Sequence, residues 1–404
     1  MMTSFVVAVF LLVYLGMIFG GLPFVQLDRT GIALLGAIAL VASQSMSLDE
    51  AYRSLNLPTL ILLFSFMVIS AQLRLGGFYT RVILQAGSLD MRPSLFLAAT
   101  IATSATLSAV FSNDIVCLSL TPALAEICLA RRLDPIPFLI GLACSANIGS
   151  AATLIGNPQN MLIGQTLNLS FGRYILHASL PVVMSLVATW VVILASRRRV
   201  GWVSTNFAAI GHQDHAFDPW QTGKGIAVAA TLFAAFLFAP WPRDLMALAG
   251  AGILLTSRRL HSQRTLGLVD WQLLILFMGL FVVNHAMQQT GIPSRLVNSL
   301  ASHGFDLGNQ GPLFLASVFL SNVVSNVPAV MLLLPATIGE HAATLLALSS
   351  TLAGNFLIVG SIANLIVVNE AARKGIRISW KEHAGLGVPV GVITLLLTHL
   401  YLPA

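Results

Sequence analysis

The chain carries the same short pattern twice, 213 residues apart. Residues 112–114 read Ser-Asn-Asp and Pro122 follows, while residues 325–327 read Ser-Asn-Val and Pro335 follows at the same spacing. Both patterns interrupt long apolar stretches. Polar interruptions are costly in a lipid bilayer unless protein or water surrounds them. Matching interruptions in two halves of a chain indicate the binding site of a membrane transporter.

The composition is that of a membrane protein. Hydrophobic residues make up 56% of the 404 residues, charged residues only 9%, and the mean hydropathy is +0.86. Soluble domains carry roughly 25% charged residues. Apolar runs such as 5–23 reach the roughly 18 residues that a membrane span needs. We therefore predict an all-α integral membrane protein in contact with the lipid bilayer.

Several classes of function find no support in the sequence. The cysteines Cys117, Cys128 and Cys144 lack the spacing of a metal site or of a disulfide framework. No glycine-rich nucleotide motif lies in a strand–helix context. The basic residues are spread over short loops and do not suggest a nucleic-acid partner. We expect no enzyme activity, no cofactor and no bound metal.

The similarity between the halves extends beyond the Ser-Asn patterns. Residues 33–37 resemble 247–251 at an offset of 214, and 156–160 lie opposite 360–364 at an offset of 204. An ordered series of such matches indicates an internal duplication. The predicted spans are 5–23, 30–43, 57–73, 137–165 and 176–196, then 225–240, 245–257, 271–289, 345–369 and 386–402.

The predicted organisation is two repeats, 1–199 and 224–404, each with five spans and one broken, re-entrant hairpin. The hairpins are expected near 95–130 and 312–339. An odd number of spans inserts the second repeat upside down, which gives about ten transmembrane helices in an inverted repeat. The polar linker 200–223 contains two histidines and two carboxylates. A metal site there is one interpretation, and a solvated cytoplasmic linker is the one we adopt.

Loop charges indicate the orientation. With the N-terminus outside, 17 of the 21 Lys and Arg residues fall inside, and Arg53, Arg173, Arg243 and Arg295 fall outside. This distribution follows the positive-inside rule. We predict a multi-pass protein of the inner (plasma) membrane with both termini outside. The amphipathic segment 77–90 is predicted to lie at the membrane interface.

Hairpin tips and broken helices are the candidate elements of the site. Ser and Asn side chains can coordinate a small cation or hydrogen-bond an oxyanion. Broken helices are tolerated at membrane depth where they line a cavity or are buried in protein; polar helix packing is the alternative. The predicted solute- or ion-binding residues are Ser112, Asn113, Asp114, Asn147, Gly149, Thr153, Gly156, Asn157, Asn160, Ser325, Asn326, Asn355, Gly360, Ser361 and Asn364.

Two ionisable residues within predicted spans are candidates for proton coupling. Asp114 qualifies because an ionisable group in a membrane segment is a functional candidate by default; a structural carboxylate is the alternative. Its repeat counterpart is Val327, so the site is chemically asymmetric. His285 is the second candidate, and a polar helix-packing contact would explain it equally well.

These motifs resemble those of the ion transporter superfamily. The likeness is carried by both tips, each with a proline ten residues after the serine, and by the Asn-Ile-Gly and Thr-x-Ile-Gly-x-Pro-x-Asn patterns within 147–160. The superfamily includes divalent anion/sodium symporters, ArsB-type arsenite efflux permeases and some sodium/proton antiporters. The resemblance covers both halves and implies an inverted-repeat fold with the site at the tips and unwound helices.

One departure bears on the substrate. The dicarboxylate symporters of the superfamily carry Ser-Asn-Thr at both tips, whereas this chain has Asp114 and Val327 in the third positions. A carboxylate would repel a dianion. The start Phe-Ser-Asn-Asp is closer to the Phe-Ala-Asn-Asp of arsenite permeases, and arsenite is largely the neutral As(OH)3 at neutral pH.

The resulting prediction is a secondary transporter that extrudes arsenite or antimonite in exchange for H+. Sodium-coupled transport of an oxyanion or dicarboxylate is the main alternative, with Na+ as coupling ion, and sodium/proton antiport is the third. A channel or a scaffold without flux also stays open. The expected partners are a small inorganic solute, the bilayer and, by resemblance, a soluble ATPase and a second copy of the chain.

Thiols bind trivalent arsenic, so Cys117 and Cys144 are candidate ligands, although packing explains them too.

Overall fold

The computed structural model describes residues 2–21, 26–88, 91–203, 217–257 and 260–402, without the side chains of residues 199 and 200. These residues are mostly α-helical, and Leu133 and Val203 form an isolated β-bridge. The helices of the first half are α1 (Met2–Phe19), α2 (Arg29–Ala42), α3 (Leu48–Ser54), α4 (Leu57–Leu75), α5 (Phe78–Ser88), α6 (Pro93–Val110), α7 (Asn113–Ala130), α8 (Pro135–Ser150), α9 (Pro158–Thr166) and α10 (Phe171–Val200).

The second half repeats this order helix by helix. Its helices are α11 (Pro219–Phe238), α12 (Arg243–Leu255), α13 (Ser262–Leu266), α14 (Trp271–Gln289), α15 (Ile292–Ser302), α16 (Gln310–Val324), α17 (Asn326–Leu333), α18 (Gly339–Ala353), α19 (Ile362–Arg373) and α20 (Trp380–Tyr401). Short 3-10 turns span Leu334–Ala336 and Ile358–Gly360. Equivalent helices have similar lengths: α4 and α14 both contain 19 residues.

Equivalent capping residues start equivalent helices. Asn56 and Asp270 precede α4 and α14, and each side chain accepts a hydrogen bond from a backbone amide in the first turn. Ser170 and Ser379 cap α10 and α20 in the same way. Such side chains satisfy amides that have no partner within the helix. The duplication is therefore visible in local structure as well as in helix order.

The predicted membrane architecture is confirmed. Eight helices in the described residues are long and apolar enough to cross a membrane. These are α1, α4, α6, α7, α10, α11, α14 and α20, and the shorter apolar helices include α2, α8 and α16. The predicted linker lies partly outside the described residues, which omit 204–216, and α11 begins at Pro219, inside the range predicted for the linker.

Two hairpins form the re-entrant elements. Hairpin 1 is α6–α7 and hairpin 2 is α16–α17. The ends of hairpin 1 lie together, because Arg131 Nη2 donates a hydrogen bond of 2.7 Å to Met91 O. Its tip is buried in protein: the Asn113 side chain is 6% exposed and its backbone N–H bonds Gly156 O at 3.2 Å, within the break of α8–α9. The tip thus ends inside the molecule and not at a membrane surface.

Three short helices were not predicted, because sequence patterns gave no signal for α3, α13 or α15. The amphipathic segment 77–90 forms α5, and its apolar face packs against hairpin 1. Its position at the membrane interface stays a prediction. Tyr79 and Ile83 are buried there, and the Tyr79 ring lies 5.9 Å from that of Phe111. An amphipathic pattern does not distinguish a protein neighbour from a bilayer surface.

The helices pack in two groups that each contain elements of both repeats. The scaffold group comprises α1–α4 and α11–α14, in which α2 packs on α14 and α12 on α4. The core group comprises α6–α10 and α16–α20, in which α8 packs on α19 and α18 on α9. Both of these pairs of contacts recur with the repeats exchanged, as an approximate two-fold axis requires.

Candidate functional site

Two broken helices meet in the middle of the core group. The first break is the loop 151–157 between α8 and α9, and the second is 354–361 between α18 and α19. Helix breaks leave backbone groups without helical partners. The side chains that hydrogen-bond to those backbone groups therefore indicate what stabilises the two breaks.

Asn160 and Asn364 hold the two breaks with equivalent hydrogen bonds. Asn160 Nδ2 donates to Ser150 O at 3.5 Å and to Thr153 O at 3.0 Å. Asn364 Nδ2 donates to Gly354 O at 2.8 Å and to Leu357 O at 3.0 Å. In both repeats the acceptors lie ten and seven residues before the asparagine. The offset of 204 read from the sequence therefore relates atoms that make equivalent hydrogen bonds in the two repeats.

The two breaks are joined by hydrogen bonds that also follow this offset. Asn157 Nδ2 donates to Thr351 Oγ1 at 3.3 Å, from the break of one repeat to the helix before the other break. Ser361 Oγ donates to Asn147 Oδ1 at 2.9 Å, from the break of the second repeat to the helix before the first break. Asn157 corresponds to Ser361, and Asn147 to Thr351. Each repeat therefore completes the polar centre of the other.

Asn147 lies at the centre of this network. Its Oδ1 also accepts a hydrogen bond of 3.2 Å from Asn113 Nδ2 at the tip of hairpin 1. Its Nδ2 donates to Asn355 Oδ1 at 2.9 Å and to Asn364 Oδ1 at 3.2 Å. The side chain is 1% exposed. One amide thus connects the first tip to the second repeat without any charged group.

Glycines allow the backbone to approach closely at the breaks. A Cβ on Gly156 would lie 2.3 Å from Ser150 O and 2.6 Å from Ser108 O, and one on Gly149 would lie 2.3 Å from the Ala105 backbone. A Cβ on Gly360 would meet Gly354 O at 3.0 Å. Gly149, Gly156 and Gly360 therefore shape the site and offer no side chain to a solute.

The asparagines of both hairpin tips, Asn113 and Asn326, are buried at this centre. Asn326 at the second tip is 8% exposed, and its Nδ2 lies 3.1 Å from where a Cβ on Gly354 would be. The Asn113 and Asn326 Oδ1 atoms and the Asn355 Nδ2 atom are buried and have no hydrogen-bond partner among the described residues. Ser325 has φ +77°, in the region that favours glycine. Unsatisfied buried polar atoms of this kind are costly unless something binds them.

Asp114 and Ser112 flank Asn113 and are partly exposed, whereas Val327, the counterpart of Asp114, is 7% exposed. The only acidic residue predicted for the site is therefore at the tip of hairpin 1 and partly exposed. Thr153 has a different part: its hydroxyl donates to Ala109 O and fixes the loop to α6. The predicted role of Thr153 in binding finds no support in its hydrogen bonds.

The chain matches a known family over most of its length. The family described as "Citrate transporter" (CitMHS) matches residues 10–345. The chain belongs to this family. The silicon efflux transporter LSI3 of rice, Oryza sativa subsp. japonica, is 28% identical to the chain over 464 residues, covering 96% of this chain and 94% of LSI3. A Dictyostelium discoideum protein that carries the transporter name arsB is 23% identical, covering 92% and 86%.

The fold is shared with a solved transporter. The crystal structure of the YdaH transporter of Alcanivorax borkumensis has a TM-score of 0.58 at 13% identity and covers 99% of this chain and 97% of YdaH. These comparisons agree with the predicted membership of the ion transporter superfamily. This member of the citrate transporter family is a secondary transporter and not an enzyme.

His285 lies in a different part of this transporter. It lines a cavity of about 400 Å3 between α14 and the base of hairpin 2, together with Asn56, Thr166 and Thr337. Its Nε2 is 3.1 Å from Gln289 Nε2, and none of its hydrogen bonds within the described residues reaches the Asn147 network. The structure therefore does not bring His285 together with Asp114.

The floor of that cavity links the scaffold group to hairpin 2. Tyr14 Oη donates to Asn284 Oδ1 at 2.8 Å, and Asn284 Nδ2 lies 3.6 Å from Met331 Sδ. Met331 is on α17, just beyond the tip. Asn284 thus connects α1 to α17 of hairpin 2.

Sequence reasoning missed several residues of the network. Thr351 accepts hydrogen bonds from both Asn157 and Gln159, and Tyr174 Oη accepts one from Asn160. The run Ser-Ser-Thr at 349–351 inside an apolar helix was a usable signal for Thr351. Tyr174 carried no such signal, because an aromatic residue at a helix start is common in membrane proteins.

Proposed function

We propose that this transporter extrudes arsenite or antimonite in exchange for protons. The observation that carries the proposal is the chemistry of the Asn147 network, whose hydrogen-bonding side chains are amides and hydroxyls with one carboxylate, Asp114, beside them. A neutral trihydroxide can donate and accept hydrogen bonds with amides, and it needs no cationic partner. Burying an anion in the same place would require a compensating charge.

The names of the relatives support a neutral hydroxylated solute. LSI3 is named a silicon efflux transporter and the Dictyostelium relative carries the name arsB. Silicic acid, like arsenous acid, is an uncharged hydroxide at neutral pH. Silicic acid is therefore the second candidate. Citrate, which the family description names, carries several negative charges and suits an uncharged amide network poorly.

Asp114 is the proposed proton carrier. It is the carboxylate at the first tip, beside Asn113, and it is partly exposed. The proton flux and the solute flux are coupled if Asp114 must release its proton before the solute leaves, or if the solute must leave before Asp114 releases its proton. His285 is no longer proposed for the same step, since it lies by the base of hairpin 2.

The loop charges support an orientation for this cycle. We propose that the base of hairpin 1 faces the cytoplasm of a plasma membrane and that both termini lie outside. The division into repeats 1–199 and 224–404 around a cytoplasmic linker 200–223 is part of the same proposal. A homodimer and a soluble ATPase partner are proposals that rest on the family resemblance alone.

The test is uptake of radiolabelled or mass-detected arsenite by everted vesicles that contain this chain, with an imposed proton gradient and no sodium. We expect accumulation that a protonophore abolishes, since the gradient supplies the energy. Vesicles without the chain are the control. Competition by silicic acid and by citrate, measured in the same vesicles, ranks the three solute classes.

Three results would contradict the proposal. Accumulation that requires sodium and ignores the proton gradient would favour sodium-coupled transport of an oxyanion or dicarboxylate. Proton release driven by sodium without any solute would favour a sodium/proton antiporter. Currents far above transporter turnover would indicate a channel.

A further inference from the structure

Two of the three cysteines lie at the same depth on facing helices. Helices α7 and α8 are joined by the short loop 131–134 and therefore run antiparallel, and they meet at the Asn113–Asn147 hydrogen bond of 3.2 Å. Cys117 lies four residues beyond Asn113, about 6 Å along α7, and Cys144 lies three residues before Asn147, about 4.5 Å along α8. Because the helices are antiparallel, both steps lead in the same direction.

The side chains also point into the same space. Positions separated by three or four residues share a helix face, so Cys117 follows Asn113 and Cys144 follows Asn147. Both thiols are 0% exposed and free. Helix geometry thus places this pair of thiols, the dithiol, at the same depth and about one turn from the Asn113–Asn147 hydrogen bond.

We propose that Cys117 and Cys144 are ligands for trivalent arsenic or antimony in this transporter. The inference rests on the proposed function and assigns two ligand atoms to the same solute. Thiol sulfur is a soft donor that selects soft metals and metalloids over hard ones. The pair would therefore distinguish arsenite from silicic acid, which has no affinity for thiols.

The binding step balances without any added reagent. As(OH)3 loses two hydroxyl groups, the two thiols lose their protons, and two water molecules leave as two As–S bonds replace two As–O bonds. Arsenic stays trivalent, so neither an oxidant nor a reductant takes part. Neutral reactants give neutral products, which suits a site where separated charge is costly.

The solute can reach the thiols from Asp114. This residue is partly exposed and lies three residues before Cys117, about 4.5 Å along the axis of α7. A solute held by Asp114 and the amides is thus one helical turn from the sulfur atoms.

The deciding experiment is arsenic X-ray absorption on the purified full-length chain with less than one equivalent of arsenite. We expect two As–S bonds and one As–O bond in the wild type. Cys117→Ser and Cys144→Ser should each lose at least one As–S bond. Cys128→Ser is the matched control, because Cys128 is equally buried on α7 but lies at the far end of the helix, and it should leave the spectrum unchanged.

Transport by the same variants separates this inference from the proposed function. Loss of a thiol ligand should raise the KM for arsenite about tenfold, which corresponds to about 1.4 kcal/mol of binding, and leave the KM for any transported silicic acid unchanged. Arsenite bound only through oxygen, no bound arsenic at all, or an unchanged arsenite KM in Cys117→Ser and Cys144→Ser would overturn the dithiol. If wild-type vesicles carry no arsenite, the proposed function fails, while the absorption spectrum still decides the dithiol.

Discussion

At the scale of single residues, the function of this transporter depends on where a few side chains lie. Their residue types are common, but their positions in the fold are specific. Asn147 is one of many asparagines, yet its position joins the tip of hairpin 1 to the second repeat. Asp114 differs from its counterpart Val327 by charge and by exposure. Two predictions follow from these two residues.

Asp114→Asn should remove coupling without removing the site. The amide keeps the size and hydrogen-bonding capacity of the side chain but cannot release a proton at physiological pH. We expect protonophore-sensitive arsenite accumulation to fall to the level of empty vesicles, while exchange of arsenite for arsenite without a gradient continues. Asp49→Asn, at an exposed carboxylate paired with Arg53, is the control. Gradient-driven accumulation by Asp114→Asn would remove this residue from the mechanism.

Asn147→Ala should destabilise the protein and abolish transport. The change removes the Asn147 partner of the buried Asn113 and Asn355 amides and leaves the Ser361 hydroxyl without an acceptor for its proton, at about 1–3 kcal/mol for each unsatisfied group. We expect a lower melting temperature and no arsenite flux. Asn369→Ala is the matched control, because Asn369 is exposed on α19. A variant with the wild-type melting temperature would mean that the network contributes little to stability.

At the scale of elements, the broken helices depend on how closely backbone segments approach. The same residue type at the same repeat position does not experience the same crowding, since Gly156 is tighter than Gly360. The sequence predicted both breaks from their glycine, proline and asparagine content. It could not predict the difference in crowding, which depends on the neighbouring helix α6.

Gly156→Ala should therefore be more damaging than Gly360→Ala. The added Cβ would lie 2.3 Å from Ser150 O in the first case and 3.0 Å from Gly354 O in the second. Backbone atoms held in a packed core cannot yield as a flexible side chain does. Size-exclusion profiles and melting temperatures in detergent measure the effect. Gly223→Ala, with nothing within 4 Å of the new Cβ, should behave as wild type, and equal effects of all three changes would contradict this account.

At the scale of the whole molecule, the two repeats are not in the same state. Two hydrogen bonds tie the end of α9 to the scaffold group: Asn56 Nδ2 to Thr166 Oγ1 at 3.1 Å, and Arg243 Nη2 to Gly164 O at 3.2 Å. Val327 is buried, whereas Asp114 is partly exposed. We propose that this is the conformation in which the site is reached from the side of hairpin 1. The inverted repeat provides the opposite conformation by exchanging the roles of its halves.

Thr166→Val combined with Arg243→Ala should shift the population toward that opposite conformation, and it leaves the Asn56 cap of α4 in place. Removing two hydrogen bonds made in one state costs that state about 1–2 kcal/mol, which is about a 5- to 30-fold change in the equilibrium. A Val327→Cys reporter should then react faster with a water-soluble maleimide. Asn298→Ala, at an exposed position on α15, should not change the rate. An unchanged labelling rate in the double variant would mean that these bonds do not control the equilibrium.

The sequence by itself determined the membrane class, the duplication, the spans and the residues of the breaks. These features are recorded in local patterns: apolar length, capping residues and the offsets of 213 and 204 between matching motifs. Tertiary structure decided which residues meet. Thr351 pairs with Asn157, Ser361 with Asn147, and His285 lies apart from Asp114, because these relations depend on how one repeat packs against the other. Contacts between positions some 200 residues apart leave no local pattern, so only the packed fold could assign them.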